Sequence, residues 1–130
     1  MAYDVLFLIG RLLAGGYYLI SGVNHFTHWE MMTGYAKSKN VPAAKWAVLL
    51  SGILLLLGGV SILTGVYPQL GVLCIALFFI GVTFKMHNFW AAPEEQKMSE
   101  RINFMKNIAL LGAALMWLAI QTPWPLSLGM

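Results

Sequence analysis

The sequence predicts an all-α protein, an antiparallel four-helix bundle that crosses a membrane as a single domain over residues 1–130. Residues of the hydrophobic class make up 59% of the chain and charged residues only 10%. Soluble domains have a smaller hydrophobic share and a much larger charged share. Four apolar stretches are each long enough for a transmembrane helix, which needs about 20 residues. The charged residues concentrate between these stretches. Because four spans use most of the 130 residues, no room is left for a separate soluble catalytic domain.

The apolar stretches define the elements in order. We predict four spans, at about residues 5–26, 43–65, 69–90 and 105–122. The start of the chain carries Asp4 and lacks the basic segment of a cleavable signal, so we expect the first span to remain in the mature protein. Gly65 and Pro68 end the second span and open the third, which predicts a tight hairpin. The links at 28–42 and 91–103 are longer and polar, and both fall on one side of the membrane.

The basic residues indicate an orientation, because lysine and arginine are retained on the cytoplasmic side. They flank the two long links as Lys37, Lys39, Lys45, Lys97, Arg101 and Lys106. We therefore expect both long links in the cytoplasm and both termini outside, in a cytoplasmic (inner) membrane with its lipids as partners. This asymmetry accounts for the net charge of +3, and no nucleic-acid partner is expected.

Glycine is common within the first two spans and allows helix backbones to approach closely. These glycines are Gly15, Gly16, Gly22, Gly52, Gly58, Gly59 and Gly65. They fit packing inside the bundle, and the alternative is a face for a homo-oligomer.

One charged residue, Arg11, lies deep in the first span, where a charge costs at least about 2.5–3.5 kcal/mol. Helical spacing places it on one face, the arginine stripe, which we expect to look into the bundle. The stripe consists of Arg11, Gly15, Tyr18, Gly22 and His25. Two explanations stay open. Arg11 is held by Asp4, backbone carbonyls and tyrosine hydroxyls, or it contacts an anionic or carbonyl-bearing ligand.

A second polar group, the polar cluster, lies where the cytoplasmic ends of the first, third and fourth spans meet. It consists of His25, Lys85, His87, Asn88, Lys106 and Asn107. On the fourth helix, one face carries Asn103, Asn107, Ala114, Trp117 and Gln121. The functional interpretation is a pocket that holds a quinone ring, a lipid headgroup or a partner's loop. The alternative is a set of snorkelling lysines and interhelical hydrogen bonds.

The remaining chemistry is sparse. His25 and His87 lie at comparable depth, as haem ligation in a bundle requires, but no cysteine or carboxylate completes a metal set with recognisable spacing, and we expect neither a metal nor haem. The single cysteine, Cys74, has no partner for a dithiol. No phosphate-binding loop or nucleophile motif is present, so we expect no self-contained catalysis.

Three segments resemble the DoxX family of small four-helix membrane proteins. They are Arg11-Leu12-Leu13 through Gly15 to Ser21-Gly22 and His25-Phe26, then His87-Asn88-Phe89-Trp90 with Pro93, and the run from Phe104 to Gly112. The resemblance covers roughly residues 5–118. Asn88 stands where many relatives carry Asp, which removes a carboxylate partner for Lys85 or Lys106.

The resemblance implies an accessory or anchoring membrane subunit of a quinone-linked or thiol-linked redox assembly. Its partners would be other membrane or peripheral redox subunits, and quinone is the cofactor it suggests. Two other functions stay open: a stand-alone transporter or lipid-handling protein whose arginine stripe lines a passage, and a purely structural subunit of a larger membrane complex.

Overall fold

The computed structural model describes residues 1–129, which are helical and contain no strand. The helices are α1 (Ala2–Thr27), α2 (Trp29–Ser38), α3 (Ala44–Thr64), α4 (Pro68–Met86) and α5 (Glu94–Trp117), with a 3₁₀ turn at Phe89–Ala91. Helices α1 and α3, and α4 together with the 3₁₀ turn, are long and apolar enough to cross a membrane. The all-α prediction is confirmed, whereas five α-helices stand where four were expected.

Helices α1 and α3 pack closely because glycines face each other across the contact. A Cβ atom on Gly59 would lie 2.7 Å from the backbone nitrogen of Leu19, and one on Gly15 would lie 2.8 Å from Leu63 Cγ. Any larger side chain would push the helices apart. The expected close approach is found at Gly15 and Gly59, whereas a Cβ atom on Gly16 would have nothing within 4 Å. Helix α1 buries Arg11 along the face of Gly15.

Helices α3 and α4 form the expected tight hairpin. Gly65 ends α3 with a φ of 75°, a left-handed conformation that glycine adopts without steric cost. The Ser61 hydroxyl donates to the carbonyls of Val66 (2.8 Å) and Tyr67 (3.0 Å). These bonds satisfy the exposed backbone of the link and fix the angle between the two helices.

Helix α2 lies inside the segment 28–42, which was expected to be only a polar link. Its inward residues, Thr33 and Ala36, are buried. Ala36 packs with Ala44 and Val48 of α3 in a small separate core. The segment is helical because its narrow apolar face packs against α3. The sequence of the segment alone does not reveal this contact.

Helix α5 differs most from the predicted span at 105–122. It begins at Glu94, directly after Pro93. The negative charges of Glu94 and Glu95 in the first turn stabilise this start, because the N-terminus of a helix carries a partial positive charge. It ends at Trp117, after which the chain turns back and Trp124 enters the core with 3% of its surface exposed. Gln121 therefore lies outside the helix on which it was placed.

Candidate functional site

Arg11 is held by backbone carbonyls at one end of the molecule, called here the arginine end. Its side chain is 4% exposed, and it donates to Ile62 O (3.0 Å), Leu63 O (2.9 Å), Pro125 O (2.9 Å) and Leu126 O (3.1 Å). Asp4 lies instead 4.0 Å from the amino terminus. Of the partners considered from the sequence, the carbonyls are the ones Arg11 contacts.

These bonds complete the C-terminus of α3, where the last carbonyls of any helix lack partners within the helix. Gly65 N–H donates to Ser61 O and Leu128 N–H donates to Thr64 O. Arg11 supplies donors to the two carbonyls between them. The guanidinium thereby fastens α3, α1 and the C-terminal segment together.

A cavity of about 210 Å³ lies beside Arg11. Its other walls are Leu6, Phe7, Gly10, Ala14, Ile62, Trp117 and Trp124. The guanidinium has five N–H donors and makes four bonds, which leaves one donor. A ligand contact for Arg11 stays a prediction.

A second cavity of about 210 Å³, called here the polar cavity, lies toward the other ends of α1 and α4. Its polar lining consists of Tyr17, Tyr18, Ser21, Asn24, His25, His87, Lys106 and Asn107. Five of the eight residues singled out from the sequence meet here: Tyr18, His25, His87, Lys106 and Asn107. Four of them belong to the polar cluster expected where the ends of the helices converge, whereas Tyr18 was placed in the arginine stripe.

Two buried residues in the polar cavity lack hydrogen-bond partners. Tyr18 is 3% and Asn107 is 7% exposed, and neither side chain bonds to another residue in the described part of the chain, 1–129. Buried polar groups are ordinarily hydrogen-bonded, to protein or to water. The Tyr18 hydroxyl and the Asn107 amide are therefore available to a polar molecule in the cavity.

The two histidines of the polar cavity are each oriented through Nδ1. His25 Nδ1 lies 2.7 Å from Ser21 O, and His87 Nδ1 lies 3.4 Å from Glu100 Oε1. Both oxygens accept, so Nδ1 carries the proton in each ring. Each ring is left with Nε2 as the nitrogen that can contact a ligand.

A larger cavity of about 420 Å³, called here the apolar cavity, adjoins the polar one. The two share His25, Met32, Phe78, Val82 and His87. Most of the additional lining is apolar, and it includes Lys85 and the α2 residues Tyr35 and Ala36. Asn88 lines neither cavity. The polar and the apolar cavity are thus neighbours, with the two histidines lining both.

Glu100 was not singled out from the sequence, yet it joins three elements next to the polar cavity. It is 4% exposed and lies 2.7 Å from Lys39 Nζ at the end of α2 and 3.4 Å from His87 at the end of α4. Burial acts to raise the pKa of Glu100, but the hydrogen bonds from Lys39 and His87 and the charge of Lys39 outweigh it, so the pKa lies below its ordinary value.

The signal for Glu100 was present in the spacing of α5. It lies three residues before Asn103 and seven before Asn107, so it continues the face already recognised. The residue was assigned to a link because α5 was expected to begin later.

Comparisons with known proteins are consistent with this architecture. The family model described as DoxX matches residues 6–88, which is more than half of the chain. The chain is similar to the inner membrane protein YphA of Escherichia coli (strain K12), with 24% identity over 127 residues, 98% of this chain and 90% of the relative. No solved structure matches it.

Proposed function

Because this chain belongs to the DoxX family, we propose that it is an accessory membrane subunit of a redox assembly, in which it holds a quinone-like amphiphile. The observation that carries this proposal is the pair of neighbouring cavities, which share five lining residues. A ring with polar substituents fits the polar cavity, where Tyr18 and Asn107 lack partners, and an apolar tail fits the neighbouring 420 Å³. Apolar walls with a few convergent polar groups are typical of small-molecule sites.

The proposal includes a four-span antiparallel bundle in which the part of α5 that follows Glu100 is the fourth span. Glu100, near the start of α5, contacts Lys39 and His87, whereas Trp117, at its end, lines the cavity beside Arg11. The helix therefore extends from the histidine end of the molecule to the arginine end. Ala114, in the last turn of α5, is fully buried, as expected where the helix packs against its neighbours.

The proposed location is a cytoplasmic (inner) membrane, the location named for the relative from Escherichia coli. In this proposal the histidine end, with α2 and the start of α5, lies on the cytoplasmic side, because the basic residues flank it. A quinone-like ligand would then enter from the bilayer near the cytoplasmic headgroups, where peripheral redox subunits can approach it.

The ligand part of the proposal is tested by measuring binding of decylubiquinone to the protein in lipid nanodiscs. We expect saturable binding that Asn107→Leu weakens about tenfold, because the leucine removes a hydrogen-bond donor and leaves the ring's oxygen unpaired. Gln96→Leu, an exposed position on the same helix, is the matched control and should bind as the wild type does. Equal binding by both variants would place the ligand elsewhere.

The subunit part is tested by purifying the protein from native membranes in mild detergent and identifying bound proteins and lipids by mass spectrometry. We expect a redox protein to co-purify in a fixed ratio. Charge reversal at the exposed Lys37 of α2, as Lys37→Glu, should reduce that ratio if the partner docks on the basic face. Recovery of the protein alone, with no partner at any detergent concentration, would argue against an accessory role.

A further inference from the structure

The two histidines present the same chemistry to the polar cavity. His25 Nδ1–H donates to Ser21 O at 2.7 Å, and His87 Nδ1–H donates to Glu100 Oε1 at 3.4 Å. In the neutral ring, the other nitrogen carries a lone pair and can only accept. Nε2 has no partner in either ring among residues 1–129. The cavity therefore offers two unfilled acceptors.

The position of one histidine is fixed by packing as well as by its hydrogen bond. A Cβ atom on Gly52 would lie 2.8 Å from His25 Cβ, so α3 holds the base of this side chain closely. His25 also meets the ring of Phe78 edge to face, at 6.0 Å between centroids. The imidazole cannot easily turn to exchange its two nitrogens.

The charges around the cavity disfavour a cationic ligand as the hydrogen-bond donor for these acceptors. Lys106 contributes a positive charge to the lining. Glu100, the carboxylate beside the cavity, is already bonded to Lys39 and His87. A hydroxyl group fits better, because it donates to Nε2 while its oxygen accepts from Lys106 or the Asn107 amide.

We propose that the polar cavity prefers the reduced, hydroxyl-bearing form of a quinone ring over the oxidised form. A quinone carbonyl, like a lipid phosphate without a proton, only accepts hydrogen bonds and leaves both Nε2 atoms unpaired. A hydroquinone hydroxyl satisfies a histidine and a donor of the cavity at once. This inference rests on the proposed function, whose ligand class it narrows.

The test compares three ligands with the same tail on wild-type protein in nanodiscs, by equilibrium dialysis without oxygen. They are decylubiquinol, decylubiquinone and the di-O-methyl ether of decylubiquinol, which keeps the oxygens but has no hydroxyl hydrogen. We expect the quinol to bind about tenfold more tightly than either of the others, since each lacks the donated hydrogen bonds. Equal affinity for quinol and quinone would overturn the inference and leave the proposed function standing. Absence of binding by all three would overturn both.

Variants then assign the preference to the histidines. His25→Phe should reduce the tenfold difference to about threefold, because one acceptor remains. His28→Phe is the matched control, since His28 is exposed and lines neither cavity. A preference unchanged in His25→Phe and in His87→Phe, with both proteins folded by circular dichroism, would also overturn the inference.

Discussion

Replacing Arg11 with methionine tests whether this buried charge supports the fold. The substitution keeps a long side chain that can pack against Phe7 and Trp124, whose rings lie 5.8 and 6.0 Å from the guanidinium carbon. It removes every donor from the carbonyls of Ile62 and Leu63. An unpaired buried polar group costs about 1–3 kcal/mol, although hydrogen bonds measured within membranes average nearer to about 0.6 kcal/mol. All four carbonyls bound by Arg11 lose that donor, so at about 0.6–1 kcal/mol each we expect the free energy of unfolding to fall by about 3 kcal/mol.

The assay is equilibrium unfolding in mixed micelles with increasing SDS, combined with hydrogen exchange of the C-terminal amides. The Leu128 amide, which donates to Thr64 O, should lose protection, because Arg11 also holds the carbonyls of Pro125 and Leu126. Arg101→Met is the matched control, since Arg101 is exposed on α5. A loss below about 1 kcal/mol with unchanged protection of Leu128 would refute the structural role and favour a ligand contact for Arg11.

Two further substitutions address the helix contact and the buried carboxylate. Gly59→Ala should lower the free energy of unfolding by about 1–3 kcal/mol, because its Cβ would lie 2.7 Å from Leu19 N. Gly16→Ala is the control, since a Cβ atom there would have nothing within 4 Å, and it should not destabilise the protein in the same SDS titration. Because the pKa of Glu100 in the folded protein lies below its ordinary 4.5, its stabilising contribution is complete above about pH 4.5 and is lost as the pH falls through the folded value. Glu100→Gln should therefore cost roughly 1–3 kcal/mol at neutral pH and flatten the acid limb of thermal unfolding, while Glu94→Gln, at an exposed site, should leave that limb unchanged.

The sequence predicted the buried face of α1 well, because the residues on one face of a helix recur every three or four positions in the sequence. Gly15 and Gly22 recur at helical spacing with Arg11 and Tyr18, and all four are buried in the structure. The convergence of His25, His87 and Asn107 followed from the same reasoning, since their helices end at one level of the bundle. Local periodicity and topology together were sufficient for this part of the site.

Helix α2 and the C-terminal turn could not be predicted in this way, because both depend on contacts between distant segments. Ala36 is buried only because Ala44 and Val48 cover it. Trp124 follows a proline, and tryptophans beyond the end of a span are ordinarily found at the headgroups. It enters the core instead, because the segment after α5 folds back to Thr64. The sequence near Trp124 does not indicate that the Thr64 carbonyl, which accepts a hydrogen bond from this segment, lies close by.

The two ends of the molecule differ in the kind of hydrogen-bonding group that they leave unpaired. At the arginine end, Arg11 uses four donors on four carbonyls, and the last carbonyls of α3 all have partners. What remains there is one donor of Arg11 and the buried indole N–H of Trp124, which has no partner among residues 1–129. At the histidine end, Tyr18 and Asn107 line the polar cavity without partners in the described chain, and both can donate and accept hydrogen bonds. A ligand that both donates and accepts hydrogen bonds therefore gains most from binding in the polar cavity.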